Sequence, residues 1–375
     1  MIKLRKIFSL LIVISIFVGA FSGCGSVGSP FTVNDYKVSP FMYRQPLYAG
    51  IQKATSLLVK DFSEMTDEDM IDGKNYKDYI IDYAYENMLE QALINSYFKK
   101  LGLKFDDSDR KTLGEQLAYY QQAYGGKSNF ESQLKNNGIS LDDFTEYLRN
   151  QIKANKIKTS LYGENGTNKL TDDELKKAFE EKYVRVKHIL LSTIDTNTRE
   201  KLPEDTIKEK EAEFNRLLDL AKSGENFDSL VSTHSEDPGS TSNPDGYYFT
   251  EDSSYDEVFK KTSFSLKVDE IGSCLSSFGY HIIKRYPLNT DEFFEDENNK
   301  NSVLTEVMQA KLKEGLKNEF SDPTVKKNNS AIKKIQKDVF DELIESAKSN
   351  STNTNSEEQS NTTDQSNTSD QSSNG

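Results

Sequence analysis

Only three histidines occur in this 375-residue chain, and all fall in one central segment as His188, His234 and His281. The outer two sit in apolar runs, Val186-Lys187-His188-Ile189-Leu190-Leu191 and Phe278-Gly279-Tyr280-His281-Ile282-Ile283-Lys284. Between them lies a polar stretch, Ser235-Glu236-Asp237-Pro238-Gly239-Ser240, leading to Asn243-Pro244-Asp245-Gly246-Tyr247-Tyr248-Phe249. Imidazoles and a carboxylate brought together admit three uses. They can form a hydrogen-bonded network that presents fixed polar groups to a substrate. They can ligate zinc, but their spacing matches no local metal motif. The histidines can also be core residues satisfied by their neighbours.

The elements that must position these residues are legible as periodicity. Val184, Val186, His188 and Leu190 alternate with Arg185, Lys187 and Ile189, the two-residue repeat of a strand. Phe214, Leu217, Leu218 and Ala221 then share one face of a helix that Gly224 stops, and Phe227, Leu230 and Val231 mark a shorter helical turn. A Pro/Gly/Ser/Asn loop spans Asp237 to Gly246, and two further strand-like stretches end at Tyr286. This is an α+β order. The preceding residues, about 76–161, read as helices. Ile81, Ala84, Tyr85, Met88, Leu89 and Ala92 share a face, with Gly102 and Gly125-Gly126 as breaks. Ser140 is an N-cap candidate, and Thr171-Asp172-Asp173-Glu174 reads as a capping box opening a helix to about Glu181. Beyond Pro287, Val303, Val307, Leu312 and Leu316 predict a helix over about 301–320 that returns to the N-terminal helices.

In this order and spacing the central blocks resemble the parvulin family of peptidyl-prolyl isomerases. The first block matches its opening K-H-I-L strand and the second its S-x-D loop. The stretch from Val258-Phe259 to Phe264-Ser265-Leu266-Lys267-Val268 matches its F-x-L helix and turn, and the last block its closing F-G-Y-H-I-I strand. The resemblance implies that His188 and His281 are paired on adjacent central strands, with Asp237 beside the bound peptide bond. It also implies that Phe259, Tyr255, Phe249 and Phe278 form the apolar slot for the proline ring. His234 is incidental on this reading, and no cofactor or metal is implied. Asn243-Pro244-Asp245-Gly246 stands where the family usually has paired glycines. The reaction implied needs no covalent step. Twisting an X-Pro bond works against a barrier of about 18–20 kcal/mol, and a site accelerates it by preferring the twisted, less polar amide. A hydrogen bond between His188 and His281 is expected to fix the protonation pattern around Asp237.

Lys3, Arg5 and Lys6 precede an apolar run from Ile7 to Phe21, which ends in Phe21-Ser22-Gly23-Cys24. This resembles a bacterial lipoprotein signal, with cleavage after Gly23 and acylation of Cys24. The net charge of -14 argues against a nucleic-acid partner. With Cys24 acylated, Cys274 would have no intrachain partner. The sequence predicts a signal peptide at 1–23, a helical chaperone-like domain at 24–182, a parvulin domain at 183–287 and a C-terminal helical segment at 288–345. From 346 to 375 a polar Ser/Asn/Thr/Gln tail is expected to be disordered. The fold class expected is α+β multidomain: an all-helical domain with an inserted small antiparallel sheet flanked by helices. In this domain order the chain resembles the PrsA-like foldases of Gram-positive bacteria. That resemblance implies a lipid-anchored folding factor on the extracytoplasmic face of the cell membrane, acting on unfolded exported polypeptides with X-Pro bonds. The helical domain could pair two chains as a homodimer. An alternative function stays open: a chaperone or holdase whose parvulin module binds chains without catalysis.

Overall fold

The computed structural model describes residues 27–195, 198 and 200–360, with side chains described to 344. The expectations for the signal segment, for Cys24 and for residues 361–375 lie outside the described residues. From the N-terminal side, strands β1 (Phe31–Val33) and β2 (Tyr36–Val38) lead into helix α1 (Pro40–Leu58). A two-strand hairpin, β3 (Met70–Ile71) and β4 (Lys74–Asn75), precedes α2 (Tyr76–Lys100), α3 (Asp107–Ala123), α4 (Lys127–Asn136), α5 (Leu141–Tyr162) and α6 (Asp172–Lys182). The central segment follows as β5 (Val184–Ser192), α7 (Glu204–Lys222), α8 (Phe227–His234), β6 (Tyr247–Phe249), α9 (Glu257–Ser265), β7 (Ile271–Leu275) and β8 (Gly279–Tyr286). The chain continues through α10 (Thr290–Glu295), α11 (Glu297–Glu319), β9 (Val325–Lys327) and α12 (Asn329–Ser360).

Among the described residues, two compact units share these elements: 27–45 with 105–150 and 325–360, and 46–104 with 151–324. In the first unit β1 lies between β2 and β9 in an antiparallel sheet. Phe144 of α5 there meets the rings of Tyr120 and Phe130 at 5.1 and 5.3 Å. In the second unit α2 buries Ile80, Ala84, Met88 and Ala92, one residue in four along a single stripe. The stripe includes Ala84, Met88 and Ala92 of the face read from the sequence, while Ile81, Tyr85 and Leu89 of that face flank it half-buried. Helix α11 packs against both α2 and α6, burying the expected Val303, Val307, Leu312 and Leu316. Its Glu306 Oε2 accepts hydrogen bonds from Tyr183 Oη at 2.5 Å and Thr250 Oγ1 at 3.3 Å, tying α11 to the start of the central segment.

The capping box at Thr171 is present, with reciprocal hydrogen bonds to Glu174, and Gly102 follows α2 with φ +66°. Helix α1 was not legible, because it carries a proline at its start and another, Pro46, inside it. The three-residue strands β1, β2 and β9 are too short to show a repeat. At the other end α12 continues to Ser360, into the stretch expected to be disordered from 346. Once a helix is nucleated on packed residues such as Ile335 and Val339, it extends without a second nucleation cost, each added residue gaining a hydrogen bond against its own ordering.

The second unit's four-stranded sheet has the order β6-β5-β8-β7, antiparallel throughout. One face carries Ile189, Leu191 and Ile282 onto Leu217, Ala221 and Phe227 of α7 and α8. The other carries Val184, Val186 and Ile283 against Phe249, Phe259 and Leu266. Strand β8 starts at Gly279, whose φ of +143° suits a residue without a side chain. A Cβ there would lie 2.2 Å from the Leu191 carbonyl oxygen. Gly279→Ala is therefore expected to destabilise this unit by more than about 2 kcal/mol, read as a lower urea midpoint with weakened amide-exchange protection in β5 and β8.

Candidate active site

The β5–β8 pairing brings the two predicted histidines together. Leu190 stands opposite His281 and His188 opposite Ile283, so the imidazoles are diagonal neighbours on one face. Their ring centroids are 5.2 Å apart, and the residues are 8% and 5% exposed. The hydrogen bond expected between them is absent, because diagonal positions on an antiparallel pair stand about 7–8 Å apart at the backbone. Each ring has its own polar neighbour instead. His281 Nε2 and the Ser276 hydroxyl share a hydrogen bond of 2.7 Å, and His188 Nε2 lies 3.7 Å from Asp237 Oδ2. Both Nδ1 atoms are buried without a protein partner. Burial holds both rings below the usual imidazole range: it depresses His188 although Asp237 pulls the other way, and His188 depresses His281 further. Both rings are neutral at neutral pH.

Asp237 reaches the same face because the segment after α8 zips onto the end of β5. Leu190 N donates to Ser235 Oγ at 3.2 Å, Glu236 N to the Leu190 carbonyl at 2.8 Å, and Ser192 N to Glu236 Oε2 at 2.8 Å. Asp237 Oδ1 then accepts from Gly239 N at 3.1 Å, while Oδ2 accepts from the Tyr247 hydroxyl. Tyr247 occupies the space a side chain at position 239 would need: a Cβ there would fall 2.3 Å from its oxygen. The loop closes through Gly246, whose φ of +94° brings its Cα close to the Val186 carbonyl. Arg185 Nε donates to the Asp245 carbonyl at 2.6 Å and pins the loop's end. Asn243 and Pro244, where the loop departs from the family pattern, do not line the cavity beside the histidines.

That cavity, about 260 Å³, is lined by His188, His281, Asp237, Tyr247, Tyr255, Phe259 and Phe278 among others. Phe259, on the first turn of α9, lies against both histidines at ring distances of 4.9 and 5.1 Å. Tyr255 and Phe278 are exposed at the mouth. Phe249 is not a wall: it is 1% exposed and packs behind Tyr255 and Phe259 at 4.7 and 5.7 Å, because its place on β6 points it into the core. His234 stands apart, its Nδ1 3.5 Å from Glu213. Sequence reasoning missed Tyr247, Ser276 and Asp256. Tyr247 followed the loop glycine in a quoted block but carried no mark of its role, and a serine five residues before a histidine is no signal by itself. Among the described residues, no group of three or more His, Cys, Asp or Glu is placed to hold a metal ion.

The arrangement is an apolar slot whose polar lining includes two neutral imidazoles and the carboxylates of Asp237 and Asp256. It suits holding a planar apolar group while presenting fixed dipoles to an adjacent amide. The family model for the PPIC-type PPIase domain matches residues 168–286, and that for the SurA-like N-terminal domain matches residues 2–158. Foldase protein PrsA of Staphylococcus aureus (strain Newman) is 28% identical over 273 residues, 71% of this chain and 72% of that protein. Among solved structures, the peptidylprolyl isomerase PrsA of Bacillus anthracis is 22% identical, with a TM-score of 0.29 over 63% of this chain and 97% of that one. The foldase PrsA of Streptococcus pneumoniae is 19% identical, with a TM-score of 0.28 over 76% and 94%. On its sequence matches, this chain carries a parvulin-type (PPIC) peptidyl-prolyl isomerase domain together with a SurA-like N-terminal domain, and is similar to the PrsA foldases.

Proposed function

We propose that this chain is an extracytoplasmic folding factor, tethered to the membrane through a lipid on Cys24, that speeds cis/trans exchange of X-Pro bonds in unfolded exported polypeptides. The observation that carries this reading is the slot itself, with Phe259 at 4.9 and 5.1 Å from two buried imidazoles and Asp237 beside them. Phe259, Tyr255 and Phe278 clamp the proline ring, and His188 and His281 form the polar floor. Asp237, held by Tyr247 and Gly239 N, faces the carbonyl of the preceding residue. A negative group near that carbonyl raises the planar, more polar amide relative to the twisted one, which lowers the barrier without a covalent step. Neutral histidines serve this better than charged ones, because a cation beside the carbonyl would favour the planar form. The helical segments would hold the client chain while its prolines exchange.

The test is exchange in a short X-Pro peptide, followed by magnetisation transfer with the full chain lacking residues 1–23. The parent is expected to accelerate it. Asp237→Ala should lower kcat/KM by about 10- to 100-fold with the fold retained. A folded parent without acceleration would replace the enzyme by a module that binds chains without catalysis.

The depressed histidines set the pH response. Below about pH 6.5 the unfolded chain takes up protons that the folded chain refuses, so this part of the stability is complete above pH 6.5. It is lost as pH falls toward the folded value of about 4 for His188. The urea midpoint is expected to fall between about pH 6.5 and 4, and to fall less in His281→Phe. The kcat/KM of the parent should stay level from about pH 8 to 5.5, with no inflection at the free imidazole value.

A further inference from the structure

Asp256 lines the cavity but has no part in the isomerase reading above. It caps α9: its Oδ1 accepts from Val258 N at 2.9 Å and Phe259 N at 3.1 Å. Capping occupies one carboxylate oxygen. The other, Oδ2, is taken by two serines from distant segments, Ser277 Oγ at 2.8 Å and Ser56 Oγ at 3.0 Å. Ser56 belongs to α1 and also accepts from Glu257 N at 2.8 Å, so one hydroxyl bonds both the cap and the first residue of the helix. A turn earlier on α1, Lys53 Nζ lies 3.5 Å from Glu257 Oε2. All of these residues belong to the same compact unit.

What Asp256 joins is the slot's own walls. Phe259, against both imidazoles, stands on the turn whose amides Asp256 holds. Phe278, at the mouth, follows Ser277 directly. The same short segment carries Ser276, whose hydroxyl accepts from Phe278 N at 3.0 Å and bonds His281. We propose that Asp256 is the positioning residue that sets the spacing between Phe259 and Phe278, and that Ser56 holds it from α1, so the helical part of the chain tunes the isomerase slot. This rests on the slot's taking the proline ring, as argued under the proposed function.

Each hydrogen bond to an ionised oxygen removed in this cluster should loosen the walls rather than the chemistry. Walls touch the ring in its planar and twisted forms alike, so their loss weakens binding while leaving turnover alone. The test uses the full chain lacking residues 1–23 and measures both the Kd of a short X-Pro peptide, by NMR titration, and kcat. Ser56→Ala and Ser277→Ala should each raise Kd and KM about fivefold with kcat unchanged, and Asp256→Asn about tenfold. Ser56→Thr, which keeps the hydroxyl, should restore the parent values. Ser56→Ala should have a smaller effect when added to Asp256→Asn than in the parent, because the two share one contact while Ser56 keeps its bond from Glu257 N.

Unchanged Kd in both serine variants overturns the proposal. So does a fall in apparent kcat at constant Kd and KM, the sign of a smaller folded fraction and a merely structural role. A parent that binds the peptide without accelerating exchange would remove the catalytic reading, while the Kd ratios would still decide the role of Asp256. A parent that does neither overturns both.

Discussion

The register between β5 and β8 is the constraint on which the site depends. In that register His188 and His281 share a face as diagonal neighbours, and Ile189, Leu191 and Ile282 share the other. A slip of one residue between the strands would put the two histidines on opposite faces, one of them toward α7 and α8, and set an isoleucine in its place against the slot. The apolar run on the helix-covered face resists such a slip, because it would carry buried aliphatic surface out of its core. Gly279 adds a second lock at the start of β8, where the chain passes close to the Leu191 carbonyl. The chemistry of the site is thus secured by packing on the side of the sheet away from it.

Placing two imidazoles in a largely apolar pocket has a cost, and the surroundings limit it. Neutrality spares the pocket two buried charges, which would be far more expensive than buried polar rings. Each ring still needs polar neighbours. Ser276 supplies one for His281, and Asp237 approaches His188 while remaining bonded to Tyr247 and to Gly239 N. Asp237 is in turn held by a loop that Gly246 and Arg185 close onto β5. The polar side of the slot is consequently held by separate hydrogen bonds, from Tyr247 and Gly239 N to Asp237 and between Ser276 and His281, which fix its polar groups as a preorganised electrostatic site requires.

The surrounding helices attach to this sheet through residues distant in sequence. Glu306 of α11 receives Tyr183 just ahead of β5 and Thr250 just after β6, and Phe179 of α6 stacks on Phe293 of α10 at 4.4 Å. Helix α11 buries its other face on α2. Segments before and after the central segment therefore complete one another's cores.

The sequence by itself determined the element order of the central segment, while its resemblance to the parvulin family, rather than any periodicity, implied the pairing of His188 with His281 and the nearness of Asp237. Strand alternation and glycine-marked loops are local properties that survive without coordinates. It also determined the helices within about 76–161 and about 301–320, whose apolar spacing is regular over several turns. Tertiary structure decided the rest. It withdrew Phe249 from the slot and added Tyr247, because only the strand's actual face tells which of three consecutive aromatics turns inward. It separated the two histidines and gave His281 to Ser276, since a diagonal pair stands too far apart for a direct bond. It brought Ser56 to Asp256 across 200 residues, a meeting that no local pattern encodes because it arises where two independently formed elements pack.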